Sequence, residues 1–117
     1  MNKAEMKQRT RQFALRVIKL VQRLPNDQVA KVLGNQLLRS GTSVGANYRA
    51  ACRARSDAEF RAKLGIVEEE EGDESIYWLE LIAEAGIFEE RLLKDITREA
   101  DELVAIVVAS IRTSKRK

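Results

Sequence analysis

DQVAKVLGNQLLRSGTSVGANYRAACRAR, residues 27–55, reads as one long helix. Val29, Val32, Leu33, Leu37, Val44 and Tyr48 recur at helical spacing and share a face. Gly34, Gly41, Gly45 and Cys52 form a second, small stripe. A glycine inside a helix costs about 1 kcal/mol relative to alanine. A helix that keeps three of them is expected to gain close contact with a neighbouring helix. The competing reading is a break near Ser40-Gly41-Thr42-Ser43.

Three further helices follow from period and punctuation. Helix one spans about residues 4–24, with Phe13, Val17, Leu20, Val21 and Leu24 as its apolar stripe and Pro25 as its stop. Helix three spans about residues 57–85. It opens on a capping box, Ser56-Asp57-Ala58-Glu59, and lines one face with Phe60, Leu64, Val67, Trp78 and Ile82. Gly86 is its expected left-handed C-cap, with Ile87 beyond. Helix four spans about residues 89–113 on an inner stripe of Leu92, Ile96, Leu103, Val107 and Ile111. Residues 114–117 are expected to fray as a basic tail. Short connections make consecutive helices antiparallel neighbours, so the chain reads as one all-α domain over residues 1–117, an up-down-up-down four-helix bundle.

Composition excludes more functions than it suggests. No histidine is present, which removes the commonest general base and the commonest metal ligand. The one cysteine, Cys52, rules out an intrachain disulfide and a cysteine-built zinc site. The glycines of helix two lie inside a helix, not in a phosphate-cradling loop between strand and helix. The expectation is a non-enzymatic protein with no cofactor, no metal and no small-molecule substrate. No apolar run approaches the ~20 residues of a membrane span, and no signal region follows the first charges, so a cytoplasmic location is expected.

Charge is segregated along the chain. Residues 1–63 hold fourteen Lys/Arg against four Asp/Glu, and residues 64–111 hold three against fourteen. The net charge of +3 therefore conceals strong local fields. Arg9, Arg16, Lys19 and Arg23 share a stripe of helix one; Arg49 and Arg53 share one of helix two; Arg55, Lys115, Arg116 and Lys117 add to them. These are the candidate nucleic-acid contacts, and they weigh evenly against a solvated helix face. Few aromatics accompany them, so backbone and shape, not base stacking, is the expected mode.

Polar residues also stand where the period asks for apolar ones. On a straight helix, Glu71 and Glu74 fall on the face of Val67 and Trp78. Arg39, Ser43 and Asn47 form a ladder at i, i+4, i+8 on the edge of helix two. The favoured reading is a structural network in which ladder and glutamates meet across the bundle, because inward carboxylates are costly unless paired. A ligand site is one alternative. A local bulge at Gly72, rotating the acidic run outward, is the other.

The run Leu33–Arg49, together with Glu59-Phe60, Lys63-Leu64, Glu74-Ser75, Tyr77-Trp78-Leu79-Glu80-Leu81 and Arg23-Leu24-Pro25, resembles the bacterial four-helix-bundle family of 23S rRNA intervening-sequence proteins. The likeness covers about residues 10–112. It implies a four-helix protomer assembling into a ring-like homopentamer. RNA binding is what the family's gene location, within inserts in ribosomal RNA genes, implies. A distantly similar bundle works with a reverse transcriptase in diversity-generating retroelements. The sequence departs from the family pattern in its four glutamates with Gly72 and at Ala50, which puts nucleic-acid contact through helix three in doubt. The competing expectation is a protein-interaction scaffold whose +10 and −11 segments pair head to tail.

Overall fold

The computed structural model describes residues 1–116. Helix α1 spans Lys3–Arg23 and α2 spans Gln28–Cys52. The third arm is α3 (Asp57–Ile66), a π-helical segment (Val67–Gly72) and α4 (Asp73–Glu84) in unbroken succession. Helix α5 (Glu90–Lys115) completes a rod of 48 × 21 × 20 Å. α1 packs on α2 and α5, the third arm packs on α2 and α5, and the backbones of α1 and the third arm stay apart. The order around the four-helix bundle is therefore α1, α2, third arm, α5.

The ends form where local chemistry places them. Asn2, Asp27 and Ser56 are extended N-caps whose side chains accept from the amides of Glu5, Ala30 and Glu59. The capping box closes one residue early: Glu59 accepts from the Arg55 amide at 3.3 Å, not from Ser56. α2 stops at Cys52, short of residue 55, because Ser56 must be extended to cap α3. Gly86 adopts φ +69°, and the Ile87 and Gly86 amides donate to the Ile82 and Ala83 carbonyls, a Schellman end.

α2 runs without a break through Ser40–Ser43. Its glycines lie against α1. A Cβ on Gly41 would stand 2.9 Å from Val17 Cγ2, and one on Gly34 3.0 Å from Leu24 Cδ1. This close approach makes the small residues Ala30, Gly34 and Gly41 part of the buried face. Val29 and Val32, expected inside, are instead 58% and 54% exposed. Each lies one residue, about 100° of turn, from the inward positions Ala30 and Leu33. α1 buries Met6 and Thr10 in addition to Phe13, Val17 and Leu20, and α5 adds Leu93 and Ala100 to Ile96, Leu103 and Val107.

The third arm departs from a straight helix. Its buried positions are Leu64, Val67, Gly72, Ser75, Leu79 and Ile82. The step from Val67 to Gly72 is five residues, where an α-helix allows three or four, and the π turn absorbs the excess. Gly72, not Glu71, thereby becomes the inward residue. A Cβ there would lie 2.6 Å from Val104 Cγ2 and 2.9 Å from the Val67 carbonyl oxygen. Glu69 and Glu70 are exposed, and Glu71 and Glu74 sit half-buried at the seam with α2. The expectation that Glu71 and Glu74 turn into the core is corrected by this one-residue slip.

The tail is also more ordered than expected. α5 continues to Lys115, and Ser114 is buried. Arg61 donates to the Ser114 carbonyl at 3.3 Å and to its hydroxyl at 3.2 Å, which satisfies the helix end. Lys117 lies outside the described residues. Among the described residues, no helix is long and apolar enough to cross a membrane.

Candidate nucleic-acid interface

The cations of α1 fall on two sides of the helix. Arg9 faces α5, where its Nε and Nη2 donate to both carboxylate oxygens of Glu99 at 2.8 and 2.7 Å and Nη2 also reaches Glu102 at 3.0 Å. These bonds hold its guanidinium more firmly charged than usual and leave it committed within the chain. Arg23 lies over the Phe88 ring at 5.3 Å. Arg16 and Lys19 are exposed. The stripe singled out in the sequence thus contains one engaged ion pair, one cation stacked on an aromatic ring and two solvated charges.

A different set converges on the α1–α2 face. Lys7 and Arg11 from α1 and Arg49 from α2 line one groove of about 400 Å³ with Thr10, Ala14, Thr42, Gly45 and Ala46. The floor is smooth because Gly45 lets Thr10 approach, a Cβ there standing 3.3 Å from the Thr10 hydroxyl. Thr10 and Thr42 donate to the Lys7 and Leu38 carbonyls, so neither occupies the cations. Among the described residues, none of Lys7, Arg11 and Arg49 has a carboxylate within 4.0 Å. α2 contains no Asp or Glu over its whole length. Sequence reasoning found Arg49 but missed Lys7 and Arg11. The signal available was the glycine stripe, which marks the side of α1 that meets α2.

The groove lies toward the cationic end of the rod. There α1 and α3 begin while α2 and α5 finish, bringing Lys3, Lys7, Arg49, Arg53, Arg55, Arg112, Lys115 and Arg116 to one end. Arg53, Arg55, Lys115 and Arg116 are all exposed. Positive charge so clustered attracts phosphate at long range and is screened by salt.

The ladder of α2 meets the glutamates only in part. Arg39 pairs with Glu74, which also accepts from Trp78 Nε1 at 3.1 Å. Asn47 Nδ2 approaches Glu71 Oε1 at 3.5 Å. Ser43 donates to the Arg39 carbonyl at 2.7 Å and takes no part. The Arg39 side chain is 53% exposed, so this is a seam at the rim of the bundle and not a buried network. The buried polar contact is one the sequence reading missed: Ser75 bridges to the Ser40 hydroxyl at 3.0 Å and the Glu71 carbonyl at 2.7 Å, both serines fully enclosed. Glu71 Oε2 is buried with no hydrogen-bond partner. Burial raises the Glu71 pKa against the pull of Arg39, and Glu74 and Glu70 add to the rise. No cluster of His, Cys, Asp or Glu among the described residues is arranged to hold a metal ion.

Comparison with known proteins gives the same architecture. A crystal structure from the S23 ribosomal protein family of Bacteroides thetaiotaomicron VPI-5482, described as a protein of unknown function, superposes with a TM-score of 0.88 at 35% identity. The match covers 96% of this chain and 99% of that one. No curated protein matches. The model of the 23S rRNA-intervening sequence proteins matches residues 2–109, nearly the whole bundle described above. With its fold and its sequence in agreement, the chain belongs to the 23S rRNA-intervening sequence protein family.

Proposed function

We propose that this protein is a non-enzymatic, cytoplasmic RNA-binding bundle that grips the phosphate backbone along the α1–α2 groove. The observation that carries this reading is the convergence of three unpaired cations, Lys7, Arg11 and Arg49, on an acid-free groove. Arg53, Arg55, Lys115 and Arg116 extend the positive field from the same end, while Arg16, Lys19 and Arg23 lie on α1 beyond the groove. Binding of this kind releases counterions, so its salt dependence counts the contacts. Equilibrium binding to duplex RNA across a salt series tests it. Changing Lys7, Arg11 and Arg49 together to Gln is expected to flatten the log–log salt slope by roughly 0.9 per lost contact. An unchanged slope, or no binding at low salt, sinks the proposal.

Self-association is a second reading, favoured by the exposed Val29, Val32 and Tyr77 and by the contrast between an acid-free α2 and a base-free α4. The homopentameric ring implied by the resemblance would align several grooves. This reading stands as a scaffold without nucleic acid if the groove variants change nothing.

A further inference from the structure

We infer that the cleft at the cationic end of the bundle holds an unpaired nucleobase at the end of an RNA strand, with its phosphate on Lys3 and Arg55. The inference rests on the proposed RNA groove and adds a base-stacking subsite to it. The cleft has a volume of about 640 Å³, within the range of small-ligand sites. Tyr48, Phe60 and Ile106 supply its apolar walls, and Ser110 and Thr113 supply hydroxyls. The sequence suggested too few aromatics for stacking, but folding sets the part-exposed Phe60 ring of α3 on the cleft wall, with the buried Tyr48 of α2 at its floor.

The chemistry of the walls matches a nucleotide better than an apolar ligand. Lys3 Nζ rests over the Phe60 ring at 4.8 Å. Among the described residues no carboxylate lies within 4.0 Å of the Lys3 ammonium or the Arg55 guanidinium; Glu59 meets Arg55 only at its backbone amide. An ammonium held on an aromatic face can yield that face to a base and turn to its phosphate. Ser110 donates to the Ile106 carbonyl at 2.9 Å, which leaves its oxygen free to accept from a base edge. Asp57 is the single carboxylate on the lining. Cleft and groove are contiguous in sequence: Tyr48 lines the first and Arg49 the second, and Lys3 and Lys7 stand one turn apart on α1. A strand that lies in the groove and runs on toward the α1 N-terminus can reach the cleft with its end.

The test uses single-stranded RNA carrying 2-aminopurine at either terminus, a blunt duplex of equal length, and adenosine 5′-monophosphate alone. The full chain is expected to quench the terminal 2-aminopurine of the single strand. Phe60→Leu should weaken the single strand roughly tenfold and remove the quench while leaving the duplex unchanged. Phe60 is partly buried, so Ala109→Phe serves as a second variant. Ala109 is exposed on the cleft wall, and the added ring fills the space without deleting a core contact. Emission of Trp78, outside the cleft, reports that both variants are folded. Binding without a quench, or equal losses on strand and duplex, overturns the inference and leaves the groove standing. Monophosphate binding as tight as the strand's overturns the strand-end assignment. No binding of either RNA overturns both readings.

Discussion

Glu71 shows how one carboxylate records the misfit between sequence period and packing. Its Oε2 is enclosed without a partner, and burial raises its pKa despite Arg39. The folded chain therefore holds this proton more tightly than the unfolded chain. Its contribution to stability is complete below the ordinary glutamate pKa and is lost as pH rises through the raised value. Asn47, Arg39, Glu70 and Glu74 are the groups around it. Glu71→Gln is expected to remove that decline, leaving the variant more stable than the parent at neutral pH; denaturant melts of both across the acid range check it. Arg9 makes the opposite case, an arginine whose charge is already used. Arg9→Gln should cost about 1 kcal/mol, since the bidentate pair is well formed and only partly exposed. In a chain of this size that is a fall of roughly 3–6 °C in melting temperature. Duplex RNA affinity should be unaffected, and a loss comparable to that of Arg11→Gln would return Arg9 to the interface.

At the scale of elements, the π turn is the feature that periodicity could not place. The sequence showed glutamates at positions where a straight helix has core. It did not show whether the core would accept them or the helix would widen. Gly72 decided the matter, because the Val67 carbonyl and Val104 leave no room for a side chain. Widening keeps Glu69 and Glu70 hydrated and holds Glu71 at the seam instead of the core, at the cost of a poorer local helix. Deleting Glu69 should return the buried positions to three- and four-residue steps. The shortened chain is expected to fold with a melting temperature within a few degrees of the parent's. Deleting Asn35 from the regular α2 should prevent folding, since it turns half of that helix by about 100°. Circular dichroism melts of the two deletions compare them; equal damage would mean the π turn is needed for the fold. The capping box, Pro25 and Gly86 lay in plain view because caps and stops are local chemistry.

At the scale of the whole molecule, segregated charge becomes a polar rod. The basic half of the sequence folds into the adjacent α1 and α2, and the acidic run lies on the third arm. Opposite signs on different faces can pair between copies in a head-to-tail ring, an arrangement weakened by salt. Light scattering with size separation at low and high salt measures this. A five-subunit mass at low salt that falls as salt rises is the expected result, and a monomer under both conditions would rule out assembly. The candidate site was only half legible for the same reason. Lys7 and Arg11 become partners of Arg49 through the packing of α1 on α2, and Arg9 is withdrawn by a residue ninety positions away.

The sequence by itself determined four helical arms, the Ser56 cap, the Pro25 stop and the Gly86 turn, the absence of histidine chemistry and the family. Each of these rests on contacts within a few residues or on composition. Tertiary structure alone decided which glycines face α1, which way the acidic run turns, and which arginines are free. Those outcomes depend on the close approach of α1 to α2 and on a single residue of helical register. Neither is encoded in local spacing, because both are set by the volume that a neighbouring helix leaves open.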